Sequence, residues 1–271
     1  MKHERFKTYV RQSRVWLLTL GIVGSLFLGI WGLGGFSSSP VFGSSVNPLS
    51  LRDWNFTRTD DAVVQQGELL AYIDAYQLPR RVVQVDLTRH PKISQFTDID
   101  SSASGYGKNA CALVAAAAAL GGKEWSPLVD RIAEAAGKDY GRNTGIQPSK
   151  YTIALQAVFG GDQVKAQDNG TLGDVYRELE DGQVVIVDVK VNANSRTPSV
   201  RHPNYAHFAR VLGLDLDRQE IYLENTLAGE PYWSMSLKDF VAVWLRPETT
   251  VSNILAPREA EEVTRWLVSI N

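Results

Sequence analysis

The sequence YGKNACALVAAAAALGG, residues 106–122, places a cysteine at the start of an alanine-rich helix. Ala and Leu are strong helix formers, and the Gly121-Gly122 pair predicts the end of the helix. Cys111 is the only cysteine in the 271 residues. A thiol in the first turn of a helix lies near unpaired N–H groups and the positive end of the helix dipole, and both favour the thiolate. The segment predicts a reactive cysteine, with a small buried thiol as the alternative.

A histidine and an asparagine follow the cysteine far along the chain, at His207 and Asn225. A lone Cys with a distant His and Asn is typical of a cysteine nucleophile with its base and orienting residue. The segments HFARVLGL (207–214) and EIYLE (220–224) alternate in polarity and are joined by a turn at 215–218, which predicts a hairpin. Because residues on paired antiparallel strands lie about 5 Å apart, the hairpin would bring His207 and Asn225 side by side.

The N-terminal segment has the pattern of a membrane anchor. Residues 15–36 form an uncharged apolar run of 22 residues, enough to span about 30 Å of hydrocarbon. Residues 1–14 carry five basic side chains, and the next Lys or Arg after the run is Arg52. The positive-inside rule therefore predicts a cytoplasmic segment at 1–14, a transmembrane helix at 15–36 and an extracytoplasmic remainder. The alternative is a cleaved signal peptide with its site in SSSPVFGSS, which would give a secreted protein.

Within the predicted span, small residues recur at every fourth position, at Gly21, Ser25 and Gly29. Such a stripe lets two transmembrane helices approach closely, so a weak homodimer through this segment is a possible association. The expected partners of residues 15–36 are thus membrane lipid and a second copy of the chain.

The composition of residues 15–271 limits the classes of function that this part of the chain can have. Residues 15–271 hold 23 Lys and Arg against 29 Asp and Glu, a mildly acidic balance that argues against nucleic acid as the partner. One cysteine excludes an internal disulfide. The four histidines lack metal-ligand spacing and no phosphate-binding glycine loop is present, so we expect neither a metal nor a cofactor.

The order of predicted elements indicates an α+β domain, with helices in the first half and strands in the second. We expect a linker at 37–58, one domain at 59–250 and a C-terminal helix at 251–271. Helices are predicted at 60–76, 112–120, 126–136, 148–159, 171–180 and 236–244, and strands at 81–87, 183–191, 207–214 and 220–224.

Four segments in this order resemble the papain-like cysteine peptidases, and within them the branch of bacteriocin-processing (double-glycine) peptidases and C39-like peptidases. The resemblance covers roughly residues 93–244. In chain order the segments are CALVAAAAALGG, GIQPSKYTIALQAVFGG, TLGDVYRELEDGQVVIVDVKV and HFARVLGLDLDRQEIYLENTLAGEPYWSMSLKDFVAVW. One departure stands beside the cysteine, where Ala112 and Leu113 replace the Gly-Pro that is usual in that branch.

The resemblance implies a papain-like fold and a role for each candidate residue. Cys111 would be the nucleophile, His207 its base and Asn225 the orienting residue, where the branch more often has Asp. Gln95, in the segment KISQF, matches the glutamine whose side chain donates to the oxyanion, although its 16-residue separation from Cys111 is longer than usual. Asn109 is the alternative donor, and the Cys111 backbone N–H would supply the second hydrogen bond.

The predicted function is that of a membrane-anchored extracytoplasmic thiol peptidase, a hydrolase acting on a peptide or protein substrate. Two alternatives stay open. The first is a catalytically inactive papain-like domain that serves as a surface binding or scaffolding module, because fold does not determine function. The second is acyl transfer to an amine by the same residues.

Overall fold

Eight strands form one sheet in the part of the chain that this computed structural model describes, namely residues 54–96, 110–121, 125–137, 146–192, 194–199, 205–227, 229–244 and 265–271. Every strand pair is antiparallel, and the central order is β2-β8-β3-β5-β6-β7, with β1 on β5 and β4 on β3. The strands are β1 (Arg81–Val83), β2 (Val164–Gln167), β3 (Val184–Asn192), β4 (Thr197–Pro198), β5 (Tyr205–Asp215), β6 (Glu220–Glu224), β7 (Tyr232–Ser236) and β8 (Leu267–Ile270).

Helices cover both faces of this sheet and bury most of its central strands β8, β3, β5 and β6. The helices of the described residues are α1 (Ala62–Tyr76), α2 (Cys111–Gly121), α3 (Trp125–Ala136), α4 (Pro148–Phe159), α5 (Leu172–Glu180) and α6 (Leu237–Trp244). Helices α1, α5 and α6 pack on one face, and α2, α3 and α4 pack on the other. The predicted α+β class is confirmed.

Strand alternation divides the core between the two faces. On β3, Val185 and Val187 point into the cluster formed with α1, α5 and α6, whereas Ile186 points into the cluster formed with α2, α3 and α4. The continuous apolar sequence of β3 follows from this burial on both sides.

Local signals in the sequence explain several helix boundaries. Helix α1 begins after Asp61, whose carboxylate accepts the backbone N–H groups of Val63 and Val64. Helix α5 begins with a reciprocal capping box between Thr171 and Asp174.

Two predicted domain boundaries are wrong. The linker was expected to extend to residue 58, but Phe56 is 4% exposed and its ring lies directly over Gly173 of α5. A C-terminal helix was expected over 251–271, but Leu267–Ile270 form β8, which lies between β2 and β3. The domain therefore includes these two ends of the described chain, because each supplies part of the core.

The predicted transmembrane helix at 15–36 and its small-residue stripe lie outside the described residues. Within the described ranges, no helix combines the length and the apolar character needed to cross a bilayer.

Candidate active site

Cys111 is the first residue of α2, and the helix behind it is fixed in the core. Residues 112–117 are buried, and the Tyr151 hydroxyl of α4 donates to the Ala112 carbonyl oxygen. Small alanine side chains let α2 approach the sheet closely, so the position of the thiol is set by helix packing.

The Cys111 sulfur lies against strand β5. The backbone N–H of Phe208 faces the sulfur and lowers the pKa of the thiol, whereas Asp188, opposite Phe208 on β3, raises it. On this part of β5 the pairing with β6 has already ended, since the last pair is Val211 with Leu223. The sulfur therefore lies against a part of β5 that β6 does not pair with, where Phe208 directly follows His207 in the sequence.

Burial determines the protonation state of this thiol. The Cys111 side chain keeps some surface exposure, but the protein atoms around it remove water, and the resulting desolvation raises its pKa to about 11. The expectation of a low-pKa thiolate at the helix N-terminus is therefore wrong for this structure, because desolvation outweighs the N–H groups of Phe208, Ala112 and Cys111.

His207 lies on β5 beside the Cys111 contact, and its ring is fully buried. The imidazole meets the Trp233 ring edge-on, with a centroid separation of 5.5 Å and an interplanar angle of 73°. Burial lowers the pKa of His207 to about 3, so the ring is neutral at pH 7. Its Nδ1 atom has no hydrogen-bond partner within the described ranges.

The two proposed reactive side chains approach β5 from opposite faces. Phe208 and Cys111 belong to the cluster under α2, whereas the Trp233 that contacts His207 belongs to the cluster under α1, α5 and α6. Contact between the two side chains would therefore require one of them to reach past the β5 backbone.

Gln95 lies beside His207 rather than in solvent, and a threonine connects the two. The Gln95 side chain is 1% exposed. Its backbone N–H donates to the Thr226 carbonyl at 2.9 Å, and its Oε1 accepts the Thr226 hydroxyl at 3.1 Å. The same Thr226 Oγ1 lies 3.5 Å from His207 Nε2. Sequence reasoning missed Thr226, because the neighbouring Asn225 matched the expected amide.

Asn225 is buried at the end of β6, directly before Thr226. Its Oδ1 accepts the Leu227 backbone N–H at 3.0 Å and so closes the turn that follows the strand. The orienting role of Asn225 towards His207 stays a prediction. The alternative oxyanion donor Asn109 lies outside the described residues.

A second polar cluster lies next to this site and was not anticipated. His90 Nε2 is 3.2 Å from Glu224 Oε1, and both side chains are almost fully buried. Arg210 faces the same carboxylate. Burial lowers the pKa of Arg210, and the charge of Glu224 opposes part of that shift. The cluster ties the segment that leads to Gln95 to the end of β6.

Among the described residues, no group of three or more His, Cys, Asp and Glu is placed to hold a metal ion.

Comparison with protein-family models finds no match, and comparison with curated proteins finds none. Among solved structures, the chain is similar to a Bacillus anthracis protein proposed to be a C39-like peptidase. The two share 12% identity, with 70% of this chain and 97% of that chain covered and a TM-score of 0.45.

Proposed function

We propose that the chain is a thiol peptidase in which Cys111 attacks a peptide carbonyl and His207 receives the thiol proton. The observation that supports this most is the Phe208 N–H facing the Cys111 sulfur, because Phe208 directly follows the buried His207 on β5. The proposed reaction requires the imidazole to reach the sulfur when substrate binds, because His207 Nδ1 has no hydrogen-bond partner, the thiol included, among the described residues of the free protein.

In the proposed reaction the sulfur forms a bond to the carbonyl carbon while its proton moves to His207 Nδ1. The tetrahedral intermediate then breaks its C–N bond, and the imidazolium returns the proton to the leaving amine. Water, deprotonated by the same imidazole, hydrolyses the thioester and releases the carboxylic acid. Gln95 is the proposed side-chain donor to the oxyanion, together with the Cys111 backbone N–H.

The electrostatics favour a neutral thiol and a neutral imidazole in the free protein. The Cys111 pKa of about 11 lies above the His207 pKa of about 3, so a preformed thiolate–imidazolium pair is disfavoured. We therefore propose that proton transfer accompanies attack on the bound substrate, with His207 acting as a general base.

A second candidate function is a binding module of papain-like shape without turnover. It is favoured by the same two pKa values, because both reactive groups are held in the state that is less suited to nucleophilic attack. Transfer of the acyl group to an amine is a variant of the enzymatic proposal that differs only in the acceptor.

We further propose that residues 15–36 anchor the chain in a membrane and that the domain lies outside the cytoplasm. This rests on the basic segment before the apolar run and the absence of Lys and Arg between that run and Arg52. A protease added to intact cells should digest the domain. Digestion only after lysis would overturn this topology.

The deciding experiment for the enzymatic proposal is cleavage of a complex peptide mixture by the full chain in detergent micelles, read by mass spectrometry as new peptide termini. We expect cleavage by the unaltered protein and none by Cys111→Ala or His207→Ala. Equal cleavage by Cys111→Ala would refute the mechanism, and equal absence of cleavage in all three proteins would favour the binding module.

Two further measurements refine this experiment. Asn225→Ala should keep weak residual activity, since the imidazole then loses only an orienting group. Addition of a primary amine separates hydrolysis from acyl transfer, because transfer would yield an amide product in place of the acid.

A further inference from the structure

We propose that Thr226 is the positioning residue of His207, holding its ring in the Nε2–H tautomer and coupling it to Gln95. This inference rests on the proposed function, in which His207 is the base. The tautomer of the His207 ring can be measured in a protein that shows no turnover.

The contacts of Thr226 place its hydroxyl between the two other side chains. Thr226 is fully buried. Its Oγ1 is 3.1 Å from Gln95 Oε1 and 3.5 Å from His207 Nε2. With water excluded from this buried position, the Thr226 hydroxyl is the polar group that links Gln95 Oε1 to His207 Nε2.

Counting protons gives the direction of each bond. A threonine hydroxyl has one proton and two lone pairs, whereas an amide oxygen can only accept. The Thr226 proton therefore points to Gln95 Oε1, and a lone pair faces the imidazole. A neutral imidazole then completes the contact only if Nε2 carries the proton, which leaves the lone pair on Nδ1.

This tautomer is the one that a base needs here. The Nδ1 atom is the ring nitrogen without a hydrogen-bond partner in the described part of the chain, so it is the atom available for the Cys111 proton. When the ring becomes an imidazolium, the hydrogen bond from Nε2 to Thr226 gains strength because its donor is charged. The 3.5 Å separation is long for a hydrogen bond and leaves room for this tightening.

The neighbouring residues show a division of roles. Asn225 uses its Oδ1 to close the turn with Leu227, and this fixes the backbone that carries Thr226. Trp233 meets the other side of the imidazole edge-on. Thr226 also receives the Gln95 backbone N–H on its carbonyl, so the base and the proposed oxyanion donor are held by one residue.

The test compares Thr226→Val, which keeps the shape and removes the hydroxyl, with Thr226→Ser, which keeps the hydroxyl. Thr152→Val on α4 is the matched control, because its hydroxyl bonds only locally to Pro148 in this helix. With the peptide mixture's best substrate, we expect kcat to fall about tenfold in Thr226→Val with little change in KM, as for loss of one strengthened hydrogen bond. Thr226→Ser should restore most of kcat.

The second readout is nitrogen NMR of the histidine-labelled full chain, with His207 assigned by comparison with His207→Gln. We expect the unaltered protein to show Nε2 protonated and Nδ1 bare at pH 7, and Thr226→Val to show a mixture of tautomers. A protonated Nδ1 in the unaltered protein, or unchanged tautomers and kcat in Thr226→Val, would overturn the proposal. The same spectra on Cys111→Ala test Thr226 even where no peptidase activity exists, so the two proposals fail separately.

Discussion

The Nε2 atom of His90 lies 3.2 Å from Oε1 of Glu224 inside the domain, where the two side chains are 5% and 1% exposed. Glu224 also faces Arg210, which is itself partly desolvated. This cluster joins the segment before Gln95 to the end of β6, directly before Asn225, so a buried carboxylate lies next to the candidate site.

Glu224→Gln should destabilise the domain, because it removes the negative charge and leaves the Arg210 guanidinium without its acid. Removing one partner of a buried charge pair costs about 3–5 kcal/mol, so a large fall in the unfolding temperature is expected. Thermal unfolding followed by circular dichroism measures it. Glu230→Gln is the control, since Glu230 is exposed and should be neutral. Equal unfolding temperatures for the two variants would show that the cluster of His90, Arg210 and Glu224 does not stabilise the domain.

The alkylation rate of Cys111 by iodoacetamide should be low at pH 7 and should rise with pH toward the thiol pKa of about 11. Only the thiolate reacts, and burial suppresses it. The rate is read by mass spectrometry, with protein unfolded in urea as the reference that reacts faster at pH 8. A fast rate that is flat between pH 6 and 8 would instead reveal a preformed thiolate–imidazolium pair.

Stability should decrease as the pH falls below about 6.5. The pKa of His207 is lowered from 6.5 to about 3, so between these values the unfolded chain binds a proton that the folded chain does not. Unfolding is therefore favoured progressively from pH 6.5 down to 3, and this contribution is constant above that window. Unfolding temperatures across this range measure the effect, and His207→Gln should show a shallower slope. An unchanged slope would place the effect in other groups.

Gly173→Ala should destabilise the domain, whereas Gly67→Ala should stabilise it. A Cβ on Gly173 would come within 2.2 Å of the Phe56 ring, so the ring must leave its place on α5. Overpacking of this kind costs about 1–3 kcal/mol. A Cβ on Gly67 in α1 meets nothing within 4 Å, so the helix gains about 0.5–1 kcal/mol. Urea unfolding of both variants gives the two signs, and a neutral Gly173→Ala would show that Phe56 is loosely held.

If Gln95 donates to the oxyanion, Gln95→Ala should lower kcat about 10²–10³-fold with a smaller effect on KM, because the bond forms to developing charge. The structure keeps Gln95 buried beside Thr226, which is compatible with this role. Steady-state kinetics on one cleaved peptide decide it. A loss in Asn109→Ala with full activity in Gln95→Ala would transfer the role to Asn109.

Local patterns predicted most elements of the chain. Helix α4 covers Pro148–Phe159 and β6 covers Glu220–Glu224, both as the sequence predicts. Proline at the first helical position and a glycine after the last residue are signals that act within one turn. Such local signals can be recognised without knowledge of the tertiary structure.

The elements that the sequence did not predict depend on distant partners. β8 is a run of four residues, LVSI, which has no local helix or hairpin signal to distinguish it. It becomes a strand because β2 and β3 flank it and bury all four side chains. β7 is likewise paired along its whole length with β6. Hydrogen bonds to a partner strand define both elements, and for β8 the partner strands lie far away in the sequence.

The sequence by itself determined which residue types are present for thiol chemistry. It holds one cysteine at the start of a helix, and His207, Asn225 and Gln95 are the candidates for the base, the orienting residue and the oxyanion donor. Tertiary structure decided their protonation and their neighbours. Burial raises the Cys111 pKa and lowers that of His207, against the effect expected from the helix end alone. The tertiary structure also places Thr226 between the imidazole of His207 and the side chain of Gln95. Desolvation and side-chain contact depend on every atom that surrounds a group, and those atoms come from segments far apart in the chain.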